Sequence, residues 1–389
     1  METTLTDVEI QGLSAAASLA DGHAYQDLGP FFGRIISDLP AVWAEAQRNS
    51  VPDMERQYKH SFAALIGSGV LEATDNFVIC PTASNSIDII GALLAARRMR
   101  AALIEPTFDN LALLLKRRGV DAIPLDESLL HSAAETECLG DLLKMKRFDA
   151  LFIVKPNNPT GRVIGRSVFQ KIVSFCVENA ILLVIDNSFR LHCREPYDDY
   201  VELSRSGVSF IAFEDTGKVF PTLDMKASLL AYSTDNRRMV ESIYRELFLC
   251  VSNFSLAVLT KFIEVTREVG ISRAIWQTVD QHREILRNAL ASSPLRIPPE
   301  SLSSTLSVEW IDCSGVCKCD LDVCKALEAE GVTILPGRMF FWHSARLKEN
   351  QHNVRVSLMR SHQTFLSGVR VLGDIGTKFR AIERAVATA

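Results

Sequence analysis

Seven short apolar runs between positions 76 and 232 set the pattern of the first two thirds of the chain. They are NFVIC (76–80), AALIE (101–105), VDAIPL (120–125), ALFIV (150–154), ILLVID (181–186), VSFIAF (208–213) and ASLLAY (227–232). Near-continuous apolar runs of this length predict strands buried on both faces. Between several of them lie segments with apolar residues at helical spacing, such as SIDIIGALLAARRM (86–99) and SVFQKIVSFCVENA (167–180). Buried strands separated by helices predict a mostly parallel sheet in an α/β fold, here a large domain over residues 46–250.

The pattern changes after Tyr232. A helical stretch runs from about 235 to 290 with an interruption near Ser252, and Pro294, Pro298 and Pro299 then punctuate the chain. STLSVEWID (304–312), VTILPG (332–337) and NVRVSLMR (353–360) read as strands alternating with helical segments at 320–331 and 365–388. Residues 251–389 are therefore expected to form an interdomain helix and a small α+β domain. Residues 1–45 read as an arm with helical pieces, a lid that also belongs in part to the small domain.

Composition narrows the function classes. Of 389 residues, 47% are apolar and 23% charged, and the net charge of -5 comes from interspersed residues of both signs. No basic stripe or helix-turn-helix pattern stands out, so nucleic acid is not an expected partner. METTLTDVEI is polar and acidic rather than a signal sequence, and stretches such as Ile181–Ile185 are too short to span a bilayer. No membrane partner is expected, and the expected location is cytoplasmic. Nine cysteines, with Cys80, Cys176 and Cys250 inside apolar runs, fit reduced, buried thiols. Cys313, Cys317, Cys319 and Cys324 lack paired ligand spacing and a neighbouring histidine, so they read as a loop and helix start; no metal is expected.

The chemistry lies in an ordered set. Asn158 sits in KPNNPTG after one strand, Asp186 ends another, Lys218 follows VSFIAFEDTG, and Arg355 lies in NVRVSLMR. Singly these read as a turn, a cap, a surface lysine and a strand residue. The C-terminal ends of strands in an open α/β sheet, however, line one ligand crevice.

In this order the residues resemble the fold-type I pyridoxal-phosphate (PLP) enzymes of the class I and II aminotransferase family, over nearly the whole chain. The resemblance implies that fold, PLP as cofactor and a homodimer. It implies that Lys218 holds the cofactor as a Schiff base and moves the substrate Cα proton. Asp186 would pair with the pyridine nitrogen, Asn158 with the phenolic oxygen, and Phe108 of EPTFDN would stack on the ring. Thr82, Ala83 and Ser84, where a helix opens after a strand, suit a phosphate, joined by Ser188, Thr216 and Lys226 among the cofactor contacts. Arg355, with Asn158 beside it, would clamp the substrate carboxylate.

Three positions depart from the usual aminotransferase pattern. Phe189 stands where tyrosine is usual, Lys226 where arginine is usual, and Asp215 where serine is usual. An acid is a poor neighbour for phosphate but suits a cationic substrate.

LTDVE (5–9), ADGHA (20–24), PTFDN (106–110), NNPTGRV (157–163), DNSFR (186–190) and EDTGK…PTLDMKA (214–227) more closely resemble the PLP-dependent L-arginine oxidases of enduracididine-type antibiotic biosynthesis. That resemblance implies L-arginine and dioxygen as substrates, with 4-hydroxy-2-ketoarginine and 2-ketoarginine as products. Asp215 and Glu9 would hold the guanidinium. His23 and Thr6 would belong to the arm that closes over the substrate, with His23 moving protons for the hydroxylation. Thr6 with Glu9 also matches a capping box. A cyclase or dehydratase acting on 4-hydroxyarginine, or a plain aminotransferase, are the alternatives.

Overall fold

The computed structural model describes residues 3–136, 138–141, 147–316 and 319–387, the side chains of 375–387 excepted. The arm contributes a two-residue strand, β1 (Ala17–Ser18). The seven apolar runs all form strands: β2 (Phe77–Cys80), β3 (Ala101–Glu105), β4 (Ala122–Asp126), β5 (Ala150–Val154), β6 (Leu182–Asp186), β7 (Phe210–Asp215) and β8 (Ser228–Tyr232). They build one sheet in the order β2-β8-β7-β6-β5-β3-β4. Only β8 is antiparallel to its neighbours, so the C-terminal ends of the others share one edge. Every residue of β3, β5 and β6 is buried. Burying a Leu or Ile side chain stabilises by roughly 1.5–3 kcal/mol, which favours these runs at the centre of the layer.

The C-terminal part forms β9 (Val308–Asp312), β10 (Val332–Thr333), β11 (Leu335–Pro336) and β12 (Asn353–Ser357). Strand β12 lies between β11 and β9, antiparallel to both, with Arg355 opposite Leu335 and Trp310. The helical stretch after Tyr232 is divided into Arg237–Leu247, Asn253–Val269 and Gln277–Leu290, and Ser252 caps the second of these.

The arm is bound to the C-terminal part through its backbone. Strand β1 pairs in parallel with β10, Leu19 N–H donates to Thr333 O at 2.8 Å, and Ser357 N–H donates to Leu19 O at 2.8 Å. Arg360 fixes the next turn, donating from Nε to Ser18 O at 2.8 Å, from Nη1 to His23 O at 2.7 Å, and to Asp21 O.

Two local expectations need correction. Thr6 is not a cap: the first helix, Leu5–Gly12, is capped by Thr4, whose hydroxyl and backbone N–H exchange hydrogen bonds with Asp7. The sequence offers two overlapping boxes two residues apart, and the earlier one lets Leu5 enter the core. Cys80 and Cys176 are buried free thiols, but Cys250 is only partly covered. It falls in the break between two helices rather than on a packed face. Cys317 lies outside the described residues. Among the described residues, no helix is long and apolar enough to cross a membrane.

Candidate active site

A cavity of about 1290 Å³ opens at the C-terminal edge of the large sheet and reaches the arm and β12. Of the candidate residues, Thr6, Glu9, His23, Thr82, Ala83, Ser84, Phe108, Asn158, Asp186, Ser188, Asp215, Lys218, Lys226 and Arg355 all line it. Thr216 does not. It is fully buried, and its hydroxyl donates to Ala227 O at 3.2 Å and accepts from Ala227 N–H at 3.1 Å.

The strand register explains the convergence. Asp186 ends β6 opposite Val154 and Phe213, so it stands level with the end of β5 and two residues before the end of β7. Asn158 follows β5 through the turn closed by Gly161, at φ +76°, where a Cβ would lie 2.0 Å from Ser304 Oγ. Asp215 ends β7 opposite Ser228, and Lys218 follows in the next turn. Gly217 allows that turn to meet the arm, because a Cβ there would lie 3.0 Å from Lys226 Cδ and 3.2 Å from His23 Cδ2. Thr82 caps the helix Ala83–Ala96 directly after β2, its hydroxyl taking Asn85 N–H. The amides of Ala83 and Ser84 therefore stand in the open first turn, where an anion is favoured. Asn110 donates to Ser84 Oγ at 3.1 Å.

The charges in the cavity lack part of their complement. Asp186 is buried, and one carboxylate oxygen accepts Ser188 N–H at 2.8 Å. Burial pushes its carboxyl up to about 6 although Ser188 opposes the shift, with the Asp215 charge adding to it. Such a carboxylate calls for a cation, which a protonated ring nitrogen would supply. The Lys218 amine forms no hydrogen bond among the described residues, while its carbonyl faces His192 Nε2 at 3.1 Å. Arg355 is 1% exposed and holds Ala20 O, Asn158 Oδ1 at 3.4 Å and Glu9 Oε1 at 3.5 Å, but its buried Nε–H has no partner among the described residues. Burial lowers its pKa, which nearby Glu9 and Asp21 partly oppose. These groups fit PLP together with an amino-acid carboxylate: an acid for the ring nitrogen, an amine for the carbonyl carbon, open amides and Lys226 for phosphate.

The arm adds a second array. Asp21 accepts His23 N–H at 2.8 Å, and one of its oxygens lies 2.6 Å from His23 Nδ1. Lys226 Nζ lies 3.0 Å from His23 Nε2. A carboxylate only accepts and an ammonium only donates, so one tautomer, protonated at Nδ1, satisfies both contacts. Burial opposes ionisation of Asp21, but the hydrogen bond from His23 and the Lys218 charge outweigh it and hold the carboxyl far below its ordinary value. Asp21 and Arg360 were not among the sequence candidates. The ADGHA and SLMR segments contain them, but only the fold shows that Arg360 grips the backbone around His23. Phe189, buried beside Leu306 and Val308, brings a hydroxyl-free ring to the cavity wall.

Comparison with known proteins agrees with this geometry. Residues 35–221 match the family Aminotransferase class I and II. A structure of MppP, soaked with its product 2-ketoarginine, superposes with a TM-score of 0.84 at 33% identity, covering 92% of this chain and 99% of that one. An aspartate aminotransferase double mutant from Thermus thermophilus shares the fold at 14% identity and a TM-score of 0.75, over 96% of this chain and 97% of that one. The LL-diaminopimelate aminotransferase of Phocaeicola vulgatus is 30% identical over 69 residues, 18% of this chain, and that match spans only 17% of the relative's length. With an open cavity at the strand ends built around Asp186 and Lys218, the chain belongs to the class I and II aminotransferase family of fold-type I, PLP-dependent enzymes.

Proposed function

We propose that the protein oxidises L-arginine with dioxygen in a PLP-dependent reaction, yielding 4-hydroxy-2-ketoarginine together with 2-ketoarginine, the amino nitrogen leaving as ammonia and dioxygen being reduced to hydrogen peroxide. The observation that supports it most is the charge set of one cavity: a guanidinium whose Nε–H has no partner among the described residues, and two acids, Glu9 and Asp215, available to a second cation. An α-amino acid with a guanidinium side chain matches both. The likeness to MppP, whose product is 2-ketoarginine, supports the same reading.

In this reading Arg355 holds the substrate α-carboxylate as a fork, and Asn158 Oδ1 orients that fork. Glu9 and Asp215 take the guanidinium, and the acid at position 215 disfavours substrates with anionic side chains. Lys218 Nζ takes the proton from the substrate Cα and from the neighbouring methylene. Asp186 keeps the ring nitrogen protonated, Phe108 covers one ring face, and Thr82, Ala83, Ser84, Ser188 and Lys226 hold the remaining polar groups of the cofactor. Bound PLP supplies the electron sink for carbanions at the substrate and the route by which electrons reach dioxygen. The arm carrying Thr6, Glu9 and His23 excludes bulk water from that site. With Lys226 turned from His23 to the cofactor, Nε2 is freed, and His23, oriented by Asp21 through Nδ1, takes a proton there from the water that adds at C4.

The test is oxygen uptake by the PLP-loaded enzyme with L-arginine, followed by mass spectrometry of the products. Uptake with a hydroxylated ketoacid upholds the proposal. Amino transfer to 2-oxoglutarate without uptake would replace it with an ordinary aminotransferase, and conversion of 4-hydroxyarginine alone would replace it with a cyclase or dehydratase.

A further inference from the structure

PTFDN brings Phe108 to the cavity, but the acid that follows does not line it. Asp109 opens the helix Asp109–Arg117 and is 7% exposed. One of its carboxylate oxygens accepts Leu5 N–H at 3.0 Å, a buried hydrogen bond across 104 residues of sequence. Leu5 is the first residue of the arm helix and is itself fully buried, in a small cluster with Ala20, Trp310, Leu335 and Phe340, with Phe108 against its side.

The first amides of a helix have no acceptor within the helix, so an outside carboxylate there fixes both the position and the rotation of its first turn. Glu9 stands four residues further along that helix, one turn on and on the same face as Leu5. The bond is held against unfavourable electrostatics: burial pushes Asp109 up to about 6, opposed by the Leu5 amide, and the charges of Glu9 and Asp7 add to the rise. An acid kept among acids in this way points to positioning rather than to charge neutralisation.

We propose that Asp109 is a positioning residue, a clasp that seats the arm helix against the Phe108 wall and thereby places Glu9 to meet the substrate cation. The role of Glu9 rests on the proposed function; the clasp itself does not. By holding Leu5 N–H, Asp109 joins the wall of the cofactor cavity to the segment that would recognise the side chain. Removing the acceptor releases the arm without touching the sheet edge where Asp186 and Lys218 stand.

The experiment is amide hydrogen exchange on the PLP-loaded, arginine-free enzyme, paired with steady-state kinetics. D109A should speed exchange across residues 4–12 about tenfold, as loss of one buried hydrogen bond implies. Exchange in the helix after residue 109 and the visible cofactor band should not change, and KM for arginine should rise more than kcat falls. D109N, whose amide oxygen still accepts, should restore most of both. Unchanged arm exchange in D109A, or equal loss of protection in the Asp109–Arg117 helix, overturns the clasp. If D109A does not fold, L5P compared with L5A removes the same N–H from the other side, and equal arm exchange in those two variants overturns it as well. Faster arm exchange in D109A, with a wild-type enzyme that does not consume arginine, would keep the clasp and reject the proposed substrate.

Discussion

Glu9 Oε1 lies 3.5 Å from Arg355 Nη2, joining the arm helix to β12 across 346 residues of sequence. Arg355 is almost wholly buried and Glu9 only partly so. At 3.5 Å this is a weak contact between two groups proposed to bind opposite ends of one substrate. A free arginine can therefore replace it with two better pairs, its carboxylate on Arg355 and its guanidinium on Glu9 and Asp215.

If Glu9 and Asp215 serve the guanidinium, truncating either weakens arginine selectively. Asp215→Ala should raise KM for L-arginine about tenfold or more, in line with the loss of one charged hydrogen-bonded partner, and should change KM for an uncharged amino acid of similar length far less. Steady-state kinetics on both substrates checks this; equal losses would remove the guanidinium role.

Lys218→Ala should abolish the covalent attachment of the cofactor while Asp186, Asn158 and Phe108 still bind it. The visible spectrum of a lysine-linked PLP should disappear, and borohydride should no longer fix cofactor to the protein. A chromophore and reduced adduct retained in the variant would place the attachment on another lysine.

His23 is held in one tautomer between Asp21 and Lys226. His23→Ala should leave cofactor binding intact and shift the products toward unhydroxylated 2-ketoarginine, and Asp21→Asn should do the same more weakly. Product ratios by mass spectrometry decide it, since an unchanged ratio would exclude His23 from the hydroxylation.

A pH effect on stability is expected at the turn that carries Asn158. Glu127 is 4% exposed and accepts the Thr160 hydroxyl with both carboxylate oxygens, at 3.2 and 3.0 Å. Burial pushes its carboxyl from 4.5 up to about 7, with the Arg162 charge and the Thr160 bond opposing. The folded state therefore holds this proton more tightly than the unfolded chain. The stabilisation is complete below pH 4.5 and is lost as pH rises through about 7. Glu127→Gln keeps an acceptor and cannot ionise, so relative to wild type it should gain on the order of 2 kcal/mol between pH 5 and pH 8. Denaturant unfolding of both proteins at the two pH values measures it, and a constant difference would show that Glu127 does not titrate in the fold.

Much of this protein is determined by local pattern. Five of the seven apolar runs form inner strands covered on both faces, and continuous hydrophobicity records that burial directly, whereas β2 and β4 lie at the sheet edges and are only partly buried. Asn158, Asp186 and Lys218 share one cavity because each follows or ends such a strand, and parallel connectivity brings those ends to one edge. What local pattern could not carry is the arm. A two-residue strand that pairs with β10, the grip of Arg360 on the backbone around His23, and the bond from Leu5 to Asp109 each join residues hundreds of positions apart or depend on one hydrogen bond. None leaves a periodic trace. The choice of Thr4 over Thr6 as cap was also settled by packing, since the helix begins where Leu5 can be buried. Backbone periodicity encodes which face of an element is dry; which distant polar atom completes a buried hydrogen bond is decided only when the tertiary structure closes.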